Sequence, residues 1–297
     1  LVSEHVAELI LHPGAFQVLD FANGLVRMAG VRAKQQGFLV GQPIKSLHEH
    51  LGNEQVRIAA VYRDGGSIDP DGDTVIKKDD EVFFISARED IDYMISEFIQ
   101  SQERVEKIII AGGGSIGLKL ALKLETTNQV KVIERSKAQA KKIAELLENS
   151  IVLVGDAADD SLLLEESIET TDVFVALTNS EEANILSSML AKKLGCKKAM
   201  ALVNKASYSG LIETGSIDIA ISPQQITIGS LLTHVREGDV VKVHSLKRGN
   251  AEALEAIAHK NMSQVVGKTV EEIKLPKGAF ITAVLSSSGV LKTLHHS

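Results

Sequence analysis

Three hydrophobic rhythms follow one another along the chain. In the middle block, Arg104 to Pro223, short Val- and Ile-rich runs recur at Lys107–Ala111, Val130–Ile133, Ile151–Val154, Val173–Leu177, Ala199–Val203 and Asp218–Ile221. They show little period-two alternation, and strands buried on both faces read this way. Between them, helical spacing of apolar positions predicts helices over Ile116–Glu125, Lys137–Asn149, Ser161–Glu166, Glu181–Leu194 and Ala206–Thr214. Gly195 follows one of these helices where a left-handed cap is expected. Strand–helix alternation of this kind predicts an α/β fold, a doubly wound parallel sheet with helices on both faces.

The flanks differ. Around "RIAAVYRDGGSIDPDGDTVIKKDDEVFFIS" (Arg57–Ser86) strand-like runs are separated by Gly, Asp and Pro turns, which predicts a small β-rich module. The last block repeats it. "LILHPGAFQVLDF" (Leu9–Phe21) aligns with "LLTHVREGDVVKV" (Leu231–Val243), "LVGQPIKSL" with "VVGKTVEEI", and "RIAAVYRDGG" with "FITAVLSSSG". His12 and His234 are 222 residues apart, Gly41 and Gly267 are 226 apart, and Val61 and Val284 are 223 apart. A nearly constant offset over three segments signals duplication. The first copy continues through "DEVFFIS" and a helix near Ile91–Gln100; the second stops at "LKTLHHS", before an equivalent strand. The repeat unit is thus a doubly wound block plus a β-rich block, and the chain does not begin with Met. The expectation is a fragment, with a further doubly wound domain upstream of Leu1. "EVFFIS" and the Ile91–Ile99 helix are expected either at a module–module interface or in ordinary packing within their own module.

The first strand of the middle block runs into "AGGGSIG", where Gly112, Gly114 and Gly117 fit G-x-G-x-x-G between a strand and a helix. In that context Gly112 permits the tight turn, Gly114 lets a phosphate approach, and Gly117 allows close helix–strand packing. The helix N-terminus offers N–H groups to an anion, and Ser115 adds a hydroxyl. Glu134 ends the second strand, 22 residues after Gly112. An acid there accepts ribose hydroxyls and disfavours a 2′-phosphate, so NAD(H) is expected over NADP(H); a solvated charge is the plainer alternative. Arg135 fits either a nucleotide contact or a surface ion pair. Asp156 ends the third strand as an adenine-side residue or a helix cap. Thr178 and Asn179 end the fourth strand on the same sheet edge, where Ser180 fits a cap for the next helix. Gly113, Ile116 and Ala157, adjoining these residues, complete the candidate set.

Composition narrows the function. The 297 residues carry a formal net charge of −7, which argues against a broad nucleic-acid surface and a DNA-reading regulator. Trp is missing and aromatics are 4%, so base-stacking platforms are not expected. Cys196 is the single cysteine, which rules out an intrachain disulfide and suits a reducing cytosol. No apolar run reaches the roughly 18–20 residues that span a bilayer. No catalytic or metal-binding constellation is expected: His12 and His234 are repeat equivalents, and His48 and His50 stand without ligands at metal spacing. A dehydrogenase needs a unique substrate domain beside the nicotinamide. Here the block after the sheet copies the block before it, which favours a nucleotide-sensing regulator; an NAD-dependent oxidoreductase is the alternative.

The segments "KIIIAGGGSIG", "VKVIERS", "IVLVGDAAD", "VFVALTNSEEANILSSMLAKKLGCKKAMALVNK" and "IDIAISPQQITIGSLLTHVREGDVVKV" together resemble the TrkA family of RCK (KTN) regulatory subunits. The resemblance covers nearly the whole chain. It implies a first RCK C-domain over 1–102, a Rossmann-like N-domain over 103–235 and a truncated second C-domain over 236–297. It further implies a nonenzymatic subunit on the cytoplasmic face of the inner membrane, assembled as a homotetrameric ring. Such a ring would bind NAD(H) or ATP/ADP to gate a TrkH-type potassium channel. The nucleotide contacts it implies are Gly112, Gly114, Ser115, Gly117, Glu134, Arg135, Asp156 and Thr178.

Overall fold

The computed structural model describes residues 1–47, 56–100, 104–204, 215–224, 226–227, 240–246, 251–259 and 265–293. The helix expected over Ala206–Thr214 and most of the aligned segment Leu231–Val243 lie outside them. The chain forms two compact units. One joins Leu1–Pro13 to Glu103–Ile228, and the other joins Gly14–Gln102 to Gly229–Ser297. This division differs from the three blocks read along the chain. Helix α1 (Val2–Leu11), at the head of the first block, belongs with the middle block, and the two β-rich modules share a unit.

In the shared unit the first module is a five-stranded antiparallel sheet of order β1-β2-β5-β3-β4. Its strands are β1 (Ala15–Phe21), β2 (Val26–Arg32), β3 (Arg57–Arg63), β4 (Gly66–Ile68) and β5 (Glu81–Ala87). The central strand β5 is buried on both faces, and alternation sends successive side chains opposite ways. Phe84 stacks on Phe98 of α2 (Ile91–Ile99), with ring centroids 5.4 Å apart. Phe83 and Ile85 fall in a cluster on the other face with Phe21, Met28, Leu246 and Leu291. The two expectations for this segment therefore divide. The strand contributes to the contact between modules, whereas α2 packs within its own module.

The other unit is built on a six-stranded sheet of order β11-β10-β9-β6-β7-β8, parallel throughout. The strands are β6 (Lys107–Ala111), β7 (Gln129–Glu134), β8 (Ile151–Val154), β9 (Val173–Ala176), β10 (Lys198–Leu202) and β11 (Ile219–Ile221). The helices are α3 (Ser115–Leu124), α4 (Lys137–Ala144), α5 (Asp160–Glu165) and α6 (Glu181–Lys193). Local chemistry sets their ends. Ser136, Asp159 and Ser180 accept first-turn N–H groups of α4, α5 and α6. Gly195, at φ 107°, closes α6 as expected. Helix α4 ends at Ala144, short of the expected Asn149. The following residues instead donate to Glu125: the amides of Glu148, Asn149 and Ser150 and the Ser150 hydroxyl all reach its buried carboxylate. Helix α1 packs on α3, where Lys123 Nζ lies 3.5 Å from Glu8 Oε1. Lys198 Nζ donates to the Leu9 carbonyl, one of the last carbonyls of α1 left without a helical partner.

The second β-rich module supplies two hairpins, β12 (Val240–Leu246) with β13 (Ala251–Ala256), and β14 (Ala283–Leu285) with β15 (Leu291–Thr293). They match the β1–β2 and β3–β4 hairpins of the first module in order and sense. Both β1 and β12 carry an irregularity at their second residue. Gly41 and Gly267, the aligned glycines, share a left-handed backbone at φ 87° and 84°. Among the described residues, no strand of the second module corresponds to β5. Among the described residues, the modules meet through the apolar cluster and polar ties. Gln17 Nε2 donates to the Ser245 carbonyl, Lys242 Nζ donates to the Asp20 carbonyl, and the Ala22 amide donates to Glu255.

Candidate nucleotide site

The strand order reverses between β6 and β9, and in open parallel sheets ligands bind outside the carboxyl ends of the strands at such a switch. The glycine turn sits there. The Gly112 amide donates to the Ile133 carbonyl, and the Leu177 amide donates to the Ala111 carbonyl, so the turn leaves the sheet between β7 and β9. Gly112 has φ 107°, and its Cα faces the Leu177–Thr178 backbone so closely that a Cβ would lie 3.0 Å from it. A Cβ on Gly117 would overlap the Gly112 carbonyl oxygen, and one on Gly113 would press on Ile143. The fold itself accounts for Gly112 and Gly117, which face backbone; at Gly113 only the tip of the Ile143 side chain would have to move. Gly114 is different: its φ of −71° and ψ of −172° suit any residue, and a Cβ would meet nothing within 4 Å. Among the described residues, no atom calls for a glycine there. The space it leaves open adjoins the N-terminus of α3, where Ser115 and Ile116 begin the helix.

Glu134 closes the turn from the β7 side. One carboxylate oxygen accepts the Gly113 amide at 2.8 Å and the other accepts the Ser136 amide at 2.8 Å. A carboxylate has about four acceptor sites, so two remain for hydroxyl donors. Arg135 and Asp156 form an exposed ion pair at 3.6 Å across the ends of β7 and β8. Asp156 accepts the Ala158 amide in a local turn, and the cap of α5 is Asp159, one turn later. Ala157 is buried in the apolar cluster that holds Ile133 and Leu163, so its methyl belongs to the core and only its backbone lies along the edge. Thr178 ends the β9 side, Asn179 beside it is exposed, and Ser180 caps α6. The strand ends thus bring the glycine turn, Glu134, the Arg135–Asp156 pair and Thr178 to one edge of the sheet. The residues fit a dinucleotide: an open cradle at a helix N-terminus flanked by a carboxylate with acceptor capacity.

Residues 108–223 match the TrkA-N domain and residues 37–99 the TrkA-C domain. A Trk system potassium uptake protein TrkA of Halomonas elongata is 50% identical over 293 residues, 98% of this chain and 64% of the relative. A TrkA homologue of Methanosarcina mazei is 35% identical over 280 residues, 94% of this chain and 68% of that protein. The chain belongs to the TrkA family. It spans less than two thirds of the length of its Halomonas relative. The RCK domain of GsuK shares the fold, with a TM-score of 0.55 at 19% identity over 78% of this chain and 51% of that one.

Two side chains of this TrkA-family chain hold the site from behind, and sequence reasoning passed over both. Gln139, on α4, donates from Nε2 to the Gly113 carbonyl at 2.7 Å. Asn184, on α6, is fully buried and bonds Thr178 on every side. A polar residue at a buried helical position was a signal for Asn184. Nothing local marked Gln139, which reads as one more solvated residue of an amphipathic helix. Cys196 is buried beneath the sheet; burial pushes its thiol up to about 11, outweighing hydrogen bonds that act the other way, so it stays protonated and unreactive at neutral pH. Among the described residues no group of three or more His, Cys, Asp or Glu is placed to hold a metal, and no helix is long and apolar enough to cross a membrane.

Proposed function

We propose that this chain is part of a nucleotide-sensing regulatory subunit of a potassium uptake system. The reading is that it binds NAD(H), and ATP or ADP at the same edge, between Gly112–Gly117 on one side and Glu134, Arg135, Asp156 and Thr178 around it. Gly114 carries the proposal. Its missing side chain opens space that the fold leaves unused, next to unpaired helix N–H groups. The acid at Glu134 favours a free 2′-hydroxyl and hence NAD(H) over NADP(H). The relatives are named as potassium uptake proteins of the Trk system, which supports a regulatory role on a TrkH-type channel. The ligand would act through differential affinity for two conformations of a tetrameric ring on the cytoplasmic face of the membrane, without being altered chemically.

Calorimetry with NADH, NAD, ADP and ATP tests the binding step. Potassium flux through the full-length protein reconstituted with its channel, with each nucleotide in turn, tests the regulatory step. Binding of none of the four would overturn the site. Substrate-dependent oxidation of NADH, lost in Gly114→Ala, would replace the regulator with an oxidoreductase.

A further inference from the structure

Asn184 lies in the first turn of α6 and is 0% exposed. A side-chain amide offers two acceptor sites and two donors, and here all four are used. Oδ1 accepts the Thr178 amide at 2.9 Å and the Thr178 hydroxyl at 2.6 Å. Nδ2 donates to the Thr178 carbonyl and to the Leu202 carbonyl at the end of β10, both at 3.0 Å. One side chain therefore brackets Thr178 and ties it to the neighbouring strand. The backbone so fixed is the one against which Gly112 packs, so Asn184 also sets the wall of the glycine turn.

The position of Thr178 gives this clamp its meaning. Glu134 stands on β7, to one side of the glycine turn, and Thr178 follows β9, on the other side of the switch. In a doubly wound sheet the two sides take the two halves of a dinucleotide. The Thr178 hydroxyl donates its hydrogen bond to Asn184 and accepts one from the Ser180 amide at 3.3 Å, so its remaining lone pair meets a ligand as an acceptor, complementary to a hydroxyl or amide donor. A mononucleotide held by the glycine turn and Glu134 has no group on this side.

We infer that Asn184 is a positioning residue that orients Thr178 as an acceptor for the second half of a dinucleotide, and so makes the site prefer a dinucleotide to a mononucleotide. This inference rests on the nucleotide reading of the site. The test is titration of the chain with NADH and with ADP, for the wild type and for Asn184→Asp, Thr178→Val and Thr178→Ser. The carboxylate of Asn184→Asp faces two carbonyls that need donors, and Thr178→Val removes the acceptor while keeping the shape. Thr178→Val is expected to weaken NADH about tenfold and ADP less than about twofold, the scale of one hydrogen bond, and Asn184→Asp, which also loosens the wall of the glycine turn, should weaken both ligands but NADH more. Thr178→Ser keeps the hydroxyl and should retain the wild-type ratio. Equal losses for both ligands, or an unchanged ratio in Thr178→Val, would overturn the inference and leave Asn184 a structural residue. If Asn184→Asp does not fold, the Val and Ser variants at Thr178 decide the matter. A wild-type chain that binds ADP but not NADH overturns the inference alone; one that binds neither overturns the nucleotide reading with it.

Discussion

Replacing Gly114 by alanine separates folding from binding at this site. The backbone there is ordinary extended chain, and the new methyl meets no atom within 4 Å. The loss of glycine's freedom in the unfolded chain stabilises by about 0.4–1 kcal/mol at a compatible site. Alanine is a poorer N-cap than glycine by roughly 0.5–1 kcal/mol. The two terms nearly cancel, so the thermal midpoint should move by no more than about 3 °C, given ~2–4 °C per kcal/mol for units of roughly 150 residues or more. Binding is another matter. On the proposed reading the methyl stands in the space a pyrophosphate would occupy, at the N-terminus of α3. Displacing the phosphates from those amides should cost at least a hundredfold in NADH affinity, about 2.8 kcal/mol at 1.4 kcal/mol per decade. Differential scanning fluorimetry of the free chain and calorimetry with NADH read the two effects separately. A variant that binds NADH with wild-type affinity would refute the reasoning, because Gly114 would then face nothing that matters. A large fall in the midpoint would refute it differently, by giving the glycine a structural cause.

Gly117→Ala should behave in the opposite way, destabilising the free chain by roughly 3 kcal/mol or more, because its Cβ overlaps a backbone carbonyl that cannot yield; chemical denaturation measures this. Glu134→Ala removes the acceptor for the Gly113 and Ser136 amides and should weaken NADH about tenfold by calorimetry, the scale of a charge-assisted hydrogen bond. Asp80→Asn cuts the bidentate pair that the buried Asp80 carboxylate makes with Arg63, at 2.8 and 2.7 Å. The expected loss is about 2–3 kcal/mol in urea denaturation. Burial would raise the pKa values of Glu125 and Asp172, but the amides that donate to them hold both below their ordinary values of 4.5 and 3.8. Their stabilisation is complete above those values and disappears as pH falls through the lower folded ones. The urea midpoint should therefore drop on acidification from about pH 5 to 3, less steeply in Glu125→Gln.

What the sequence by itself determined is local or periodic. The strands Lys107–Ala111 and Ile151–Val154 appear with the bounds their apolar runs predicted; the first is buried on both faces, as an unbroken run implies, whereas the second is the edge strand of the sheet, with Ile151 and Val154 about half exposed. The glycine turn, the acid at Glu134 and the cap at Ser180 were legible because each acts within a few residues of itself or at a fixed spacing along one β-α-β unit. Duplication was legible too, because two copies of one module keep the same turns, down to the left-handed glycines 41 and 267.

Tertiary structure decided what depends on which segments meet. That α1 packs with the parallel sheet, while the β-rich modules share a core, is a matter of which apolar faces find one another. Helical periodicity shows that a face is apolar and is silent about its partner. Phe83 and Phe84 are neighbours in the chain and end in different environments, because a strand's two faces are covered by different elements. Gln139 reaches Gly113 across 26 residues, and Asn184 reaches Leu202 across 18. Neither spacing belongs to a helix or a strand, so no period along the sequence announces it. The glycine turn could be read from a motif; the residues that hold it in place became visible only once the sheet had brought its strand ends together.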